Sequence, residues 1–218
     1  MTAGRTIVPF GEAAVLVELD ASGLAEGARS ARALASAVAA LRPQRPALGA
    51  PVATAASVLV PFDPLETDGD AVAQLIDGLE VTLATDAPPA NHTIPVRYGG
   101  EQGPDLEPVA RELGLSPAAV VELHAGTELE VLFLGFAPGF AYLGELPDGL
   151  RVPRLATPRV RVPAGSVAIA GPMAAIYPQA SPGGWRILGR TDLALFDPGA
   201  TPPARLRPGD RVRFEPMR

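Results

Sequence analysis

From residue 138 onward the chain meets a proline every few residues: Pro138, Pro147, Pro153, Pro158, Pro163, Pro172, Pro178 and Pro182. Inside a helix each would remove a backbone donor and push its ring into the preceding turn, and the intervals between them are shorter than an ordinary helix of about 11 residues. The longer interval from Gly183 to Asp197 opens on Gly-Gly and contains Gly189, which also disfavours helix. What remains alternates like strands: Val160 and Val162 about Arg161, Val167 and Ile169, Leu193 and Leu195, Val212 and Phe214 about Arg213. The second half is therefore predicted to be a β-rich barrel or sandwich of short strands joined by proline and glycine turns. No internal repeat is present.

The first part of the chain has a different rhythm. "AAVLVEL" (Ala13 to Leu19) and "ASVLVPF" (Ala56 to Phe62) are apolar runs of strand length. Between them Ser22 is placed to cap a helix carrying Leu24, Ala28, Ala31, Leu34, Ala35, Val38 and Leu41 on one face, until Pro43 stops it. A second helix is predicted to begin near Asp70, with Val72, Leu75, Ile76, Leu79 and Leu83 on one face. "TDAPPANH" (Thr85 to His92) breaks the pattern and reads as the linker. After it come a strand, "TIPVRYG", and two short helices, "DLEPVARELG" and "SPAAVVELH", the latter capped by Ser116 with Pro117 in its first turn and His124 at its end. The fold class is α+β, divided into residues 1–90 and 91–218.

Composition removes several function classes. With 47% apolar residues the chain can fill a core, and without cysteine it has no disulfide, no thiolate metal site and no cysteine nucleophile. All 18 Lys+Arg residues are arginine, so neither a Schiff-base lysine nor the lysine of a standard phosphate loop exists. The net charge of −6, with mixed signs and no long basic run, argues against nucleic acid and acidic membranes as partners. The opening "MTAGRTIVPFGEAAVLVEL" lacks a basic region leading into an unbroken apolar stretch, and no run approaches the ~18 apolar residues of a membrane span. A cytoplasmic protein is expected.

Chemistry-bearing residues are few. The only histidines, His92 and His124, are far apart and no His/Asp/Glu cluster has ligand spacing, so no metal site is expected. Ser166, in "PAGSVAI", lacks the glycine two residues later that a nucleophile elbow requires. His124 is placed either to cap its helix or to face a site. Gly183 and Gly184, in "SPGGWRILGRT", are either a tight hairpin or a nest of amides for an anion. Arg151, Arg154, Arg159, Arg161, Arg186 and Arg190 cluster in this half, with Tyr142, Tyr177 and Trp185 as polar-tipped aromatics nearby. "GFAPGFAYLG" (Gly135 to Gly144) is uncharged and rich in glycine and aromatics, which suits a bent strand-to-loop passage walled by Phe136, Phe140 and Tyr142.

Taken in order, "GFAPGFAYLGEL", "RVPRLATPRVRVPAGSVAIAG", "IYPQASPGGWRILGRT" and "LALFDP" closely resemble the PxpB family, the B subunits of bacterial 5-oxoprolinase, also called KipI-like or allophanate hydrolase subunit 1. The resemblance extends upstream through "PVRYGGEQGPDLEPVARELGLSPAAVVELHAG" and, more loosely, "FGEAAVLVEL" and "SVLVPFDP". It implies a small α/β, ferredoxin-like domain followed by a cyclophilin-like β-barrel. It also implies partners, the KipA-like C subunit and the A subunit of the same enzyme. With them, 5-oxo-L-proline is cleaved to L-glutamate as ATP is hydrolysed, the ATP, with Mg, being held mainly with or by the partner subunits. Activating a resonance-stabilised lactam requires charge stabilisation and a firm hold on the substrate carboxylate.

By the same resemblance His124, Arg159, Arg190 and Tyr177 are catalytic positions. Gly135, Phe136, Pro138, Gly139, Phe140, Tyr142, Ser166, Gly183, Gly184 and Trp185 are substrate-binding positions in a cleft completed by another subunit. The chain departs from the family at Met173, Ala174 and Ala175, where glutamine, threonine and glycine are usual, and at Leu129, where a tyrosine is usual. Two other roles accompany such sequences: inhibition of a sensor histidine kinase, and urea or allophanate metabolism. A cyclophilin-like barrel alone is no warrant for prolyl isomerase activity.

Overall fold

The structure, a computed structural model, describes residues 4–81 and 88–217. Two compact units divide the chain, residues 1–87 and 88–218. In the first, β1 (Arg5–Pro9), β2 (Ala14–Leu19), β3 (Val52–Ala53) and β4 (Ser57–Pro61) form an antiparallel sheet in the order β1-β2-β4-β3. Helix α1 (Leu24–Leu41) connects β2 to β3, and α2 (Gly69–Asp77) follows β4. Strand β4 thus lies between β2 and β3, the split βαβ of ferredoxin-like folds. Its outer strand, β1, comes from the N-terminal side. The core is Val15, Val17, Leu34, Val38, Val58, Val60, Val72 and Ile76.

Two helix boundaries differ from expectation. Gly23, not Ser22, is the N-cap of α1. Ser22 stands one residue earlier, and its amide donates to the Glu26 carboxylate at 3.1 Å, so a first-turn acid caps the helix from inside. Asp68 caps α2, its carboxylate accepting from the Ala71 amide at 2.8 Å. The helix ends at Gly78, with Leu79 beyond it. Leu83, placed on this helix from the sequence, lies outside the described residues.

The second unit contains β5 (Asn91–Tyr98), α3 (Leu106–Leu113), α4 (Pro117–Gly126), β6 (Leu129–Leu134), β7 (Ala141–Gly144), β8 (Arg159–Val162), β9 (Ser166–Ala170), β10 (Met173–Ile176), β11 (Ser181–Gly183), β12 (Arg186–Arg190) and β13 (Arg211–Pro216). Seven strands close a barrel in the order β10-β7-β6-β13-β5-β12-β9, and β8 and β11 form a separate ribbon. Strand β13 enters between β5 and β6 and runs parallel to β5, from Arg211 opposite Asn91 to Pro216 opposite Val96. Ile94, Val131, Leu143, Ile169, Leu188 and Phe214 fill the interior.

This topology alters three sequence expectations. Of the predicted linker, residues 85–87 lie outside the described residues. His92 belongs to β5 instead, because it pairs with Val212 and its Nε2 lies 2.9 Å from Asp210 Oδ2. Leu193 and Leu195 are not in a strand; the segment after β12 is irregular, with one bridge at Phe196 to Ala204, although Leu195 is buried in the barrel core. Gly183 and Gly184 are not a hairpin turn either. They join β11, which pairs with β8, to β12, which pairs with β5 and β9.

Candidate functional site

Residues 135–140 are the loop of the β6–β7 hairpin. The Gly135 amide donates to the Phe140 carbonyl at 3.1 Å and the Phe140 amide to the Ala137 carbonyl at 3.0 Å. Gly139 has φ +77°, and a Cβ there would stand 2.7 Å from Phe196 Cβ, so both backbone conformation and space demand glycine. Phe136 is the one described non-glycine residue at positive φ, 68°. Such a conformation costs of order 1–3 kcal/mol in a bulky residue and persists only where its surroundings hold it. Here it presents an exposed ring edge-on to Phe140, with centroids 5.2 Å apart.

Phe140 is the hub of an aromatic cluster. It meets Tyr142 at 4.9 Å, Tyr177 at 5.2 Å and Trp185 at 6.0 Å, the last two edge-to-face. Around this cluster lies a pocket of about 100 Å³, lined by Phe136, Phe140, Tyr142, Arg154, Tyr177, Pro182, Gly183, Gly184 and Trp185. Its floor depends on Gly183: a Cβ there would lie 2.9 Å from the Tyr177 ring carbon that bears the hydroxyl. Gly183→Ala is expected to cost about 1–3 kcal/mol by overpacking. Tyr177→Phe in the same chain should recover part of that cost, read as non-additive denaturation midpoints. Strictly additive midpoints would show that the close approach carries no energy.

The pocket has two polar tips and one cation. Burial pushes the Tyr142 phenol up, and the Arg154 guanidinium partly offsets this. Burial likewise raises Tyr177, offset mainly by a backbone hydrogen bond with Trp185 and then by Arg154. Both phenols are therefore hydrogen-bond donors at neutral pH. The Arg154 guanidinium stands 5.7 Å from the Trp185 ring centroid, a cation–π contact.

Behind the Trp185 wall is a partly buried ion pair. Asp105 Oδ1 accepts from Arg159 Nη2 at 2.7 Å, and Oδ2 accepts from the Ile187 amide at 2.7 Å. Arg159 Nη1 also makes a long contact, 3.5 Å, to the Trp185 carbonyl. This fastens the residue before α3 to the start of β12 and to the pocket wall.

Residues 5–206 match the family described as "Carboxyltransferase domain, subdomain C and D". The chain is 58% identical over 125 residues to the 5-oxoprolinase B subunit of Escherichia coli O157:H7, covering 57% of each. It is 52% identical over 121 residues to the protein of that name from Bacillus subtilis strain 168, covering 56% of this chain and 50% of that one. The chain belongs to the PxpB family. It spans about half the length of these relatives. Among solved structures, a conserved uncharacterized protein of Pyrococcus horikoshii is 39% identical with TM-score 0.57, each chain covered to 97%. The urea carboxylase of Kluyveromyces lactis is 18% identical with TM-score 0.78, covering 99% of this chain and 22% of that one, a likeness of fold.

Set against the positions that the family resemblance singled out, the pocket brings together Phe136, Phe140, Tyr142, Tyr177, Gly183, Gly184 and Trp185. Gly135, Pro138 and Gly139 shape the loop behind it and do not line it. Ser166 is buried at the start of β9, its carbonyl accepting from the Tyr177 amide at 3.0 Å. Arg159 is neutralised by Asp105, which suits a positioning role. Arg190 ends β12 five residues after Trp185, about 16 Å along an extended strand, and its buried Nε has no partner among the described residues.

His124 corrects the expectation most sharply. It neither ends α4, which continues to Gly126, nor faces the pocket. It is wholly buried, stacked on Phe214 at 4.4 Å, with Nδ1 2.7 Å from the Tyr98 hydroxyl. Burial pushes its pKa down to about 3, so it is a neutral core imidazole. Where this chain departs from the family's usual residues, the positions are also interior: Leu129 and Ala174 lie in the barrel core, Ala175 is buried in the aromatic cluster, and Met173 packs against that cluster.

Two residues of the site were missed. Arg154 stood in the sequence as one of six clustered arginines, and the prolines beside "VPRLATPR" were the only signal that a loop presents it. Asp105 had no signal, since its partner lies 54 positions away.

Proposed function

We propose that the chain is the B subunit of an ATP-dependent 5-oxoprolinase, which acts in the cytoplasm with its C and A subunits to open 5-oxo-L-proline to L-glutamate. The observation that carries this reading is the 58% identity to a protein of that name. The pocket supports it chemically. Aromatic faces suit a flat five-membered ring, phenolic O–H donors suit a lactam oxygen, and a guanidinium suits a carboxylate. A volume of about 100 Å³ is well below the ~300–1,000 Å³ of sites for larger ligands, which fits a small acid.

The same residues do not fit ATP with Mg. The pocket is too small for a nucleotide, and among the described residues no group of three or more His, Asp or Glu side chains is arranged to hold a metal ion. In this reading the partner subunits contact the nucleotide, and this chain orients the lactam. The likeness to urea carboxylase, at 18% identity, carries fold and adds no argument for a urea-derived substrate. Among the described residues no helix is long and apolar enough to cross a membrane.

The test is reconstitution with the partner subunits and an assay of 5-oxoproline-dependent ATP hydrolysis. Turnover is expected only with the full set. Absence of turnover with all subunits present, together with tight binding of this chain to a sensor histidine kinase, would replace this reading.

A further inference from the structure

We infer that Arg154 is the specificity-determining residue of the aromatic pocket, and that it selects small cyclic carboxylates by pairing with their carboxylate at the pocket mouth. The inference rests on reading the pocket as the substrate site. It starts from charge. Arg154 lines the pocket, while none of the other lining residues is acidic. Its neighbours are compensated: Arg151 by Asp148 at 3.0 Å, Arg159 by Asp105 at 2.7 Å and Arg186 by Glu112 at 3.0 Å. Arg154 makes no ion pair among the described residues. A cation facing a pocket with no counter-charge of its own is matched by an anionic ligand.

Geometry narrows the ligand. The guanidinium is held over Trp185 at 5.7 Å, which limits the rotamer freedom lost on binding, and its planar fork suits a bidentate carboxylate contact. Its field reaches the pocket interior, where it lowers both Tyr142 and Tyr177 against the effect of burial. Those phenols and the flanking rings receive an uncharged, flat portion carrying an acceptor. A cavity of about 100 Å³ has room for one small ring, so in this proposal the anion is carried by the ring molecule itself.

Trp185 is the only tryptophan of the chain, so its emission reports occupancy directly, with heat of binding as a second measurement. The chain is titrated with L-5-oxoproline, with 2-pyrrolidinone (the same lactam without the carboxylate), with cyclopentanecarboxylate (the carboxylate without the lactam) and with inorganic phosphate. L-5-oxoproline is expected to bind about 10–100-fold more tightly than 2-pyrrolidinone, the range of one charge-assisted contact. Arg154→Gln should abolish that difference, Arg154→Lys should keep part of it, and the exposed Arg161→Gln should leave it intact.

Equal affinity for 5-oxoproline and 2-pyrrolidinone, undiminished discrimination in Arg154→Gln, a response to phosphate alone, or no heat and no emission change with any acid up to its solubility would each overturn the inference. Its failure is separable from failure of the function. Cyclopentanecarboxylate binding as tightly as 5-oxoproline, with the same dependence on Arg154, upholds the carboxylate contact and counts against the lactam substrate. A reconstituted complex whose KM for 5-oxoproline is unchanged by Arg154→Gln does the reverse.

Discussion

Asp105→Ala is expected to lower stability by about 3 kcal/mol and to weaken ligand binding in the molecules that still fold. The Asp105 side chain is 7% exposed and its carboxylate holds both a guanidinium and the Ile187 amide. Breaking a fully buried ion pair costs roughly 3–5 kcal/mol, and stranding a buried amide roughly 1–3. The Arg159 side chain retains 29% exposure, so water recovers part of the first amount. Asp105→Asn keeps an acceptor for the Ile187 amide but loses the charge and turns an NH2 donor toward Arg159, so a loss between that of Asp105→Ala and none is expected. Denaturant unfolding followed by circular dichroism measures both. Because Arg159 also reaches toward the Trp185 carbonyl, Asp105→Asn should raise KM in the complex while leaving kcat near wild type. An unchanged KM would make the pair purely structural.

Acid is expected to destabilise the barrel through His124. Its ordinary pKa is 6.5, and burial holds it at about 3 in the folded chain. Between these values the unfolded chain has bound the proton and the folded chain has not, so stability is complete above pH 6.5 and falls as pH drops toward 3. The slope is at most about 1.4 kcal/mol per pH unit. His124→Leu removes the titrating group and leaves the Tyr98 hydroxyl without its partner. It should therefore lower stability at neutral pH and flatten the acid slope. A slope identical to wild type would place the acid sensitivity elsewhere. Between pH 6 and 8 the same variant, where folded, should leave the shape of the activity profile unchanged, since no proton moves on this imidazole there.

What could be read in the sequence follows from how local each signal was. Proline spacing excluded helix from the second half because a single proline acts within its own turn, and the barrel duly carries short strands between prolines. Ser116 is the N-cap of α4, its hydroxyl accepting from the Ala119 amide at 3.1 Å, as its place before Pro117 indicated. The aromatic run from Phe136 to Tyr142 marked the pocket because the rings lie in one hairpin. Longer-range facts were invisible. Strand β3 is two residues long, too short for any period. Leu193 and Leu195 alternate like a strand, yet only tertiary packing decides that Leu195 plugs the core without a ladder. The side of α4 on which His124 falls is settled by Phe214, far along the chain. An arginine beside a tryptophan and one beside an aspartate look alike until the strands are assembled.

The position of β13 has a kinetic consequence. Strands β5 and β6 both take β13 as a neighbour, and β13 comes from the far end of the unit. Nothing nearer in sequence fills that slot. Bringing it in costs the entropy of closing a very long loop before any ladder bond offsets it. Until β13 pairs, the edges of β5 and β6 that face it stay open. Open edges of this kind recruit strands from other chains. A chain whose last strand is delayed or frayed is thus most exposed to strand exchange and aggregation at the seam between β5 and β6.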